Sequence, residues 1–180
     1  KQQTAMRRNK HFLFRSLMML MALCSSGMAL ADKAGGQLSN GKWSISDDGV
    51  LTVTVSGALS NFKGTVNGGN AHSCKSPWYD YSDIIKEVNC NATSVGDFAF
   101  YGLDKVGKAS IPNATSVGTC SFFHFGNGEL ILELPKVKSV GDYAFSRCGI
   151  KRLRLPVVET IGSGVWEDTY SYGGPFCKTE

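Results

Sequence analysis

The chain has few of the residues from which catalytic sites are built. It holds three histidines in 180 residues, at His11, His72 and His124. No G-x-S-x-G nucleophile motif occurs, and Gly162-Ser163-Gly164 belongs to a corner of the repeat described below. Cys120 lies four residues before His124, but a reactive thiolate needs an exposed, electropositive site, and we expect Cys120 to be buried. The sequence therefore predicts no enzyme and no bound cofactor.

Metal-binding and disulfide spacings are missing as well. His72 and Cys74 could be half of a metal site, but nothing supplies the other ligands at a known zinc spacing. Cys24 lies in the N-terminal segment, and the remaining five cysteines are an odd number without paired spacing. We predict no metal site, and we expect these five to be small buried hydrophobes: Cys74, Cys90, Cys120, Cys148 and Cys177.

No hydrophobic run reaches the length of a membrane span. Basic residues precede a short apolar run at 17–23, which Ser25, Ser26 and Gly27 interrupt before it could cross a bilayer. The run ends at Ala29-Leu30-Ala31, an A-x-A site, so residues 1–31 are predicted to be a secretory signal peptide cleaved before Asp32. A lipoprotein anchored at Cys24 is the alternative, although Leu23 stands where a small residue is wanted. We expect a secreted or cell-surface protein, with no membrane insertion after cleavage.

The excess of positive charge belongs mainly to that leader. The whole chain carries a formal charge of +4, but residues 1–31 contain five Lys or Arg and no acid. From Asp32 onward, 14 basic residues face 15 acidic ones, which leaves a net charge near −1. A near-neutral chain argues against a nucleic-acid partner.

Four copies of one short pattern run through the C-terminal half. They read SVGDFAF at 94–100, SVGTCSF at 116–122, SVGDYAF at 139–145 and TIGSGVW at 160–166. The second residue of each copy recurs in steps of 22, 23 and 21 residues. A period in this range is typical of a solenoid, in which each coil buries its apolar face against its neighbours.

An alternating apolar run precedes each copy and predicts a short strand with one buried face. Three of the runs end in a proline, which cannot donate to a strand ladder and therefore ends the strand: Val106 to Pro112, Leu132 to Pro135 and Ile150 to Pro156. The run before the first copy has Asn91 in the proline position. Each repeat is thus predicted as a strand, a sharp corner and a short segment that bears an aromatic residue.

These residues resemble leucine-rich repeats of the BspA type, which are common on surface proteins of gut and oral Bacteroidetes. That family carries a strand ending in proline, then a V/I-G-x-x-A-F segment and often a cysteine, and residues 144–148 (AFSRC) match it most closely. Residues 41–53 and 76–81 are similar to the region before its first repeat, so the resemblance covers residues 37–166. It implies a solenoid of short parallel strands with an irregular or short helical convex side. Ordinary leucine-rich repeats have an asparagine that is absent here, so we expect no asparagine ladder.

The region ahead of the repeats is predicted to cap the solenoid. Residues 42–57 alternate around Asp47-Asp48-Gly49, which is typical of a β-hairpin. Residues 58–75 are predicted to form a loop, and Ser76-Pro77 is predicted to start a helical turn that runs to Asp83. The predicted domains are a cap at 32–83, a solenoid of four repeats at 84–170 and a tail at 171–180. The sequence shows no C-terminal cap of the kind that a solenoid needs. We therefore expect either a longer natural protein or a chain that is a fragment of one.

The repeat register predicts the core. Phe100, Phe122, Phe145 and Trp166 share one position and should form a continuous aromatic stack. The opposite wall should hold two columns of inward strand residues, one for each buried position of the strand: Val88, Ala109, Leu132 and Leu153, and then Cys90, Ile111, Leu134 and Leu155.

The outward strand positions are the predicted binding surface. The alternation places there Lys86, Glu87, Asn89, Gly107, Lys108, Ser110, Leu130, Ile131, Glu133, Lys151, Arg152 and Arg154. Adjacent strands should stack in register, with Glu133 beside Arg154 and Ile131 beside Arg152. The same pattern also fits a solvated face with scattered charges. As a binding face, it would contact a partner through Lys86, Lys108, Ile131, Glu133, Lys151, Arg152 and Arg154.

We expect a monomer that binds an extracellular protein or glycan without covalent chemistry, and adhesion is what the resemblance implies. The alternative is a structural spacer or display scaffold for a domain outside this chain.

Overall fold

The computed structural model describes residues 32–67, 70–72 and 74–167. The predicted leader at 1–31, the tail at 171–180, Cys24 and Cys177 lie outside the described residues. The domain boundaries at 31, 83 and 170 stay predictions.

The N-terminal cap is a three-stranded antiparallel unit rather than a simple hairpin. Strand β2 (Gly41–Ser46) pairs with β3 (Val50–Val55) as predicted. Gly49 has φ of +81° in the turn, and a side chain there would overlap the Ile84 carbonyl oxygen. Strand β1 (Asp32–Leu38) pairs with the other edge of β2 and was not expected. Its apolar side chains are only Ala34 and Leu38, which are half-buried against the core, so its sequence shows no clear apolar alternation.

The segment between the cap sheet and the repeats is more ordered than the predicted loop. It contains a small antiparallel pair, β4 (Thr65–Asn67) and β5 (Asn70–His72). The predicted helical turn is limited to a 3-10 helix at Tyr79–Tyr81, whose N-cap is Trp78 and not Ser76. Ser76 is buried with its hydroxyl 3.5 Å from the Cys74 sulfur. Its side chain therefore contacts the core instead of capping a helix.

The repeats wind into a solenoid with two strand ladders. The first comprises β6 (Glu87–Cys90), β7 (Lys108–Ser110), β9 (Leu130–Glu133) and β11 (Ile150–Arg154). The cap joins it directly, since β3 pairs in parallel with β6, and β6 with β7. The second ladder holds the two residues that open each repeated motif: β8 (Ser116–Val117), β10 (Ser139–Val140) and β12 (Thr160–Ile161). The valine of the motif thus belongs to a second short strand, which the sequence reading did not predict.

The first ladder is not continuous, which corrects the predicted stacking. Strands β7 and β9 are not joined by a ladder, and β9 pairs only with β11. The third repeat has one residue between its inward positions Leu130 and Leu132, whereas its neighbours have two. Leu130 is consequently buried, not outward as predicted. The extra residue of the next strand, Lys151, forms a bulge in the β9–β11 register.

The predicted aromatic stack is confirmed. Phe122 lies 5.5 Å from Phe100 and 5.2 Å from Phe145, centroid to centroid, and Trp166 follows at 5.6 Å. Trp78 of the cap extends the stack, with its ring 5.9 Å from Phe100. The two predicted wall columns are also buried, except for Ala109, which is half-buried beside the ladder break.

The convex side turns through left-handed residues rather than a helix. Phe98, Cys120 and Tyr143 occupy equivalent positions and have φ of 55°, 51° and 54°. This conformation is uncommon for residues other than glycine and costs free energy. It directs each backbone N–H to the next coil: Phe98 donates to Thr119 and Cys120 to Asp142, at 2.9 and 3.0 Å. These hydrogen bonds between coils offset the strain, and the segments 97–102, 119–124 and 142–147 are turns rather than helices.

The strand face as a candidate binding surface

The predicted surface residues divide between two sheets. Lys86 lies just ahead of β6, and Lys108 starts β7, on the five-stranded sheet that includes the cap. Ile131, Glu133, Lys151, Arg152 and Arg154 lie on the separate β9–β11 pair. The seven residues therefore do not form one continuous ladder. The β9–β11 pair holds five of them.

The register of that pair is the predicted one. Arg152 is the partner of Ile131, and Arg154 is the partner of Glu133. The Arg154 Nη1 atom is 4.0 Å from Glu133 Oε1, and both side chains are more than half exposed. An exposed pair at this distance contributes under about 1 kcal/mol to stability.

A second ion pair on this surface was missed. Lys151 Nζ lies 2.6 Å from Glu129 Oε2, and Glu129 stands immediately before β9. The 22-residue separation, close to one repeat, is a signal that the sequence contained. Lys151 stands at the bulge in the β9–β11 register, and only the structure shows that bulge.

These ion pairs change the charge of the predicted basic cluster. Lys151 and Arg154 each face a glutamate of the previous coil. Within the described part of the chain, no acidic group forms an ion pair with Arg152. The surface thus has a centre made of Arg152 and the exposed Ile131, which is 51% accessible. Two charge pairs flank this centre, and the net charge of the five ionised side chains is +1.

A similar pair marks the sheet on the cap side. Lys108 Nζ donates to Glu87 Oε1 at 2.9 Å, and Asn89 Nδ2 donates to the same oxygen at 3.1 Å. The hydrogen bond from Lys108, and then that from Asn89, lowers the pKa of the Glu87 carboxyl. Lys108 is therefore also a paired cation and not an isolated positive charge.

The comparisons with known proteins agree with this architecture. The family model for the BspA type leucine-rich repeat region matches residues 79–172, more than half of the chain, in six copies. This chain belongs to the BspA-type leucine-rich repeat family. No curated protein matches it significantly.

Two solved structures are similar to this BspA-type chain. A leucine-rich repeat protein from Eubacterium ventriosum is 25% identical with a TM-score of 0.50, and the match covers 71% of this chain and 40% of that protein. A leucine-rich repeat protein from Bacteroides ovatus is 21% identical with a TM-score of 0.44, over 73% of this chain and 38% of that one. The chain thus spans about two fifths of the length of these two proteins.

The described cysteines of the BspA-type chain are buried, and none forms a disulfide: Cys74, Cys90, Cys120 and Cys148. Burial raises the pKa of the Cys90 thiol to about 11. Burial, together with Asp97 and Asp142, raises that of Cys120 to about 12. Both thiols are therefore protonated at neutral pH, and Cys120 supplies no thiolate for a pair with His124.

The described residues contain no group of three or more His, Cys, Asp or Glu that could hold a metal ion. Among the same residues, no helix is long and apolar enough to cross a membrane.

Proposed function

We propose that this chain is a secreted or cell-surface binding module that recognises an extracellular protein or glycan through the β9–β11 surface, as an adhesion module does. The observation that carries the proposal is the pairing of the exposed Ile131 with Arg152, between two flanking ion pairs. Binding surfaces commonly have an apolar centre inside a charged rim, and arginine is enriched at their energetic centres. Stacked repeats also present extended surfaces of the kind used for recognition.

The partner's chemistry follows from the same side chains. Ile131 offers apolar contact, and Arg152 offers a planar guanidinium that matches a carboxylate or a sulfate. A partner that presents an apolar group beside one negative charge would fit this centre. Because the net charge of the surface is only +1, we expect salt to weaken binding moderately rather than abolish it.

The proposal is one of non-covalent binding. Surface placement is supported by the predicted leader at 1–31. Burial keeps the thiols of Cys90 and Cys120 protonated, so neither offers a thiolate nucleophile. The alternative, a structural spacer that displays another domain, is the second outcome of the experiment below.

The test is a binding screen on matrix proteins and glycans with the chain from Asp32 onward. Any partner found is then measured against the variant Ile131→Ala/Arg152→Ala. We expect binding about tenfold or more weaker, as for residues at the centre of an interface. Lys138→Ala is the matched control, because Lys138 forms an exposed ion pair with Glu159 away from this surface.

The wider variant Lys151→Ala/Arg152→Ala/Arg154→Ala should also weaken binding and leave folding nearly intact, as circular dichroism would show. Unchanged affinity of both variants for an identified partner would place the binding site elsewhere. Failure to bind anything in the screen would favour the spacer function.

A further inference from the structure

We propose that the outer edge of strand β1 is a self-association site, at which two copies of the chain pair β1 with β1 in antiparallel orientation. Strand β1 (Asp32–Leu38) is the last strand of the five-stranded sheet and pairs on one side with β2. Among the described residues, no strand pairs with its other side. Such an edge offers unpaired backbone donors and acceptors to another chain.

The register of β1 with β2 shows which backbone groups face this edge. A two-residue turn joins the two strands, and Leu38 belongs to the pair that closes it. Hydrogen-bonded and non-hydrogen-bonded pairs alternate along an antiparallel ladder, and the pair that closes a two-residue hairpin is a bonded one. Leu38 and Gly36 are therefore bonded to β2, whereas Gly35 and Gln37 direct their N–H and C=O groups toward the open edge.

The central part of β1 lacks the features with which proteins usually block an open strand edge. Charged side chains and prolines are common blocking features. In β1 the charges are confined to Asp32 and Lys33, where the register with β2 shifts, and residues 34–38 include no charge and no proline. Strand β11 (Ile150–Arg154) ends the other sheet of the described residues and bears three cations, which would repel those of a second β11. A second copy therefore fits β1 and not β11.

Residues 34–38 are also complementary to themselves. A two-fold axis at Gly36 places Gly35 opposite Gln37 of the second copy, so that the outward backbone groups exchange about four hydrogen bonds. On the core side of the sheet, the same register sets Leu38 against Ala34 of the second copy. Both side chains are half-buried against the core, so the pairing brings a large apolar side chain against a small one twice.

Glycines leave room for a second backbone at the centre of this pairing. A Cβ atom at Gly36 would come within 2.8 Å of Trp43 Nε1, so the Trp43 ring keeps this position free of a side chain. Gly35 adds no side chain on the opposite face of the strand. Two β1 backbones can therefore reach the Cα separation of about 4.5 Å that a non-hydrogen-bonded antiparallel pair requires.

The expected dimer is weak. About four hydrogen bonds are fewer than the roughly ten of a typical stable interface, so we expect a dissociation constant of about 0.1 mM. Such a dimer replaces the monomer expected from the sequence. It would present two β9–β11 surfaces and increase avidity for a multivalent partner. That consequence rests on the proposed function, whereas the β1 pairing does not.

The test is analytical ultracentrifugation of the exported chain that begins at Asp32, from about 10 μM to about 1 mM, a range that spans the expected dissociation constant. We expect the average mass to rise toward twice that of the monomer. Gln37→Pro removes an outward N–H and should keep the chain monomeric. Gln37→Ala is the matched control, because it keeps that N–H and should dimerise normally. A monomer at every concentration, or a dimer equally stable in Gln37→Pro, would overturn the proposal.

Amide chemical shifts of the unmodified, isotope-labelled chain locate the pairing even if Gln37→Pro fails to fold. Raising the concentration should shift the amides of Gly35 and Gln37, which gain an acceptor, more than those of Gly36 and Leu38. Shifts that spare Gly35 and Gln37 would refute β1 as the site. Shifts there that appear only with an added partner would assign the edge to that partner and overturn self-pairing.

The variant Ile131→Ala/Arg152→Ala separates this proposal from the proposed function. It should dimerise like the unmodified chain, because both residues lie on the β9–β11 pair and not on the sheet that contains β1. Loss of partner binding in this variant therefore concerns only the proposed function. Loss of its dimerisation would contradict the β1 site.

Discussion

At the scale of single residues, the glycine of each V-G step is explained by the coil before it. The Asp97 carboxylate accepts a hydrogen bond from the Thr119 N–H at 2.7 Å, and Asp142 does the same for Ser163. A Cβ atom at Gly118 would overlap Asp97 Oδ1 and approach the Asp97 nitrogen to 2.7 Å. This position thus needs glycine for close approach, not for an unusual φ angle.

Gly118→Ala should therefore destabilise the fold by about 2–3 kcal/mol, as overpacking does. The measurement is the free energy of unfolding from urea titration. The same substitution in an Asp97→Ala background should cost less, because the carboxylate is gone while the backbone contact remains. Equal costs in the two backgrounds would show that Asp97 does not set the requirement.

Phe122 is the most central aromatic residue of the core, between Phe100 and Phe145 and with no exposed surface. Phe122→Ala should lower the free energy of unfolding by about 3–5 kcal/mol, as for buried aromatics generally. Ile131→Ala removes an exposed apolar side chain and should change it by less than about 0.5 kcal/mol. A small loss for Phe122→Ala would mean that the stacking register is wrong.

At the scale of elements, ion pairs join neighbouring strands at one-repeat spacing. Lys108 meets Glu87 across β6 and β7, and Lys151 and Arg154 meet glutamates beside or on β9. Each pair orients side chains on the exposed face and contributes little to stability, because solvent screens it. Their main effect is on the charge and shape of the surface that a partner would meet.

The Glu87 pair predicts a pH dependence on the acid side. Its carboxyl pKa is lowered in the folded state, so the stabilisation is present above the ordinary glutamate value of 4.5 and is lost as the pH falls below it. In Glu87→Gln, the free energy of unfolding should therefore fall less between pH 5 and pH 3 than it does in the unmodified protein. Lys108→Met should remove most of this pH dependence, since the Lys108 hydrogen bond is the largest cause. An unchanged pH profile in both variants would contradict the assignment.

At the scale of the whole molecule, each coil is stabilised by the coils that cover it. Trp78 covers the first coil, stacking on Phe100 and donating its indole N–H to the Ala99 carbonyl at 2.8 Å. Val140 is 4% exposed beneath the next coil, whereas Ile161, its equivalent in the last coil that the structure describes, is 47% exposed. Burial of the same motif position thus depends on its neighbour, as expected for a solenoid.

Export is the prediction that concerns the whole chain. Expressed in a bacterium with a Sec pathway, the mature protein should begin at Asp32, because the A-x-A site ends at Ala31. N-terminal sequencing of the exported protein measures this. An acylated Cys24 at the N-terminus would instead establish a lipoprotein held on a membrane by its lipid.

The sequence by itself determined the features that depend on the order of apolar side chains. The period of the motif predicted the solenoid, and the shared position of Phe122 and its equivalents predicted the stack. The alternation around Gly49 predicted the β2–β3 hairpin. Apolar periodicity predicts these features because the spacing of apolar residues identifies the face of a coil that must be buried. That prediction does not require knowledge of the neighbouring coil.

Only the tertiary structure decided how one coil's backbone meets the next. The ladder break, the buried Leu130 and the bulge at Lys151 depend on a register set by residues about one repeat away. The Lys151–Glu129 pair, which changes the charge of the candidate surface, also joins residues of two coils, and Lys151 stands at that bulge. A one-residue difference in strand length moves a side chain from one face of the sheet to the other. Which residues then pair depends on the two neighbouring coils together.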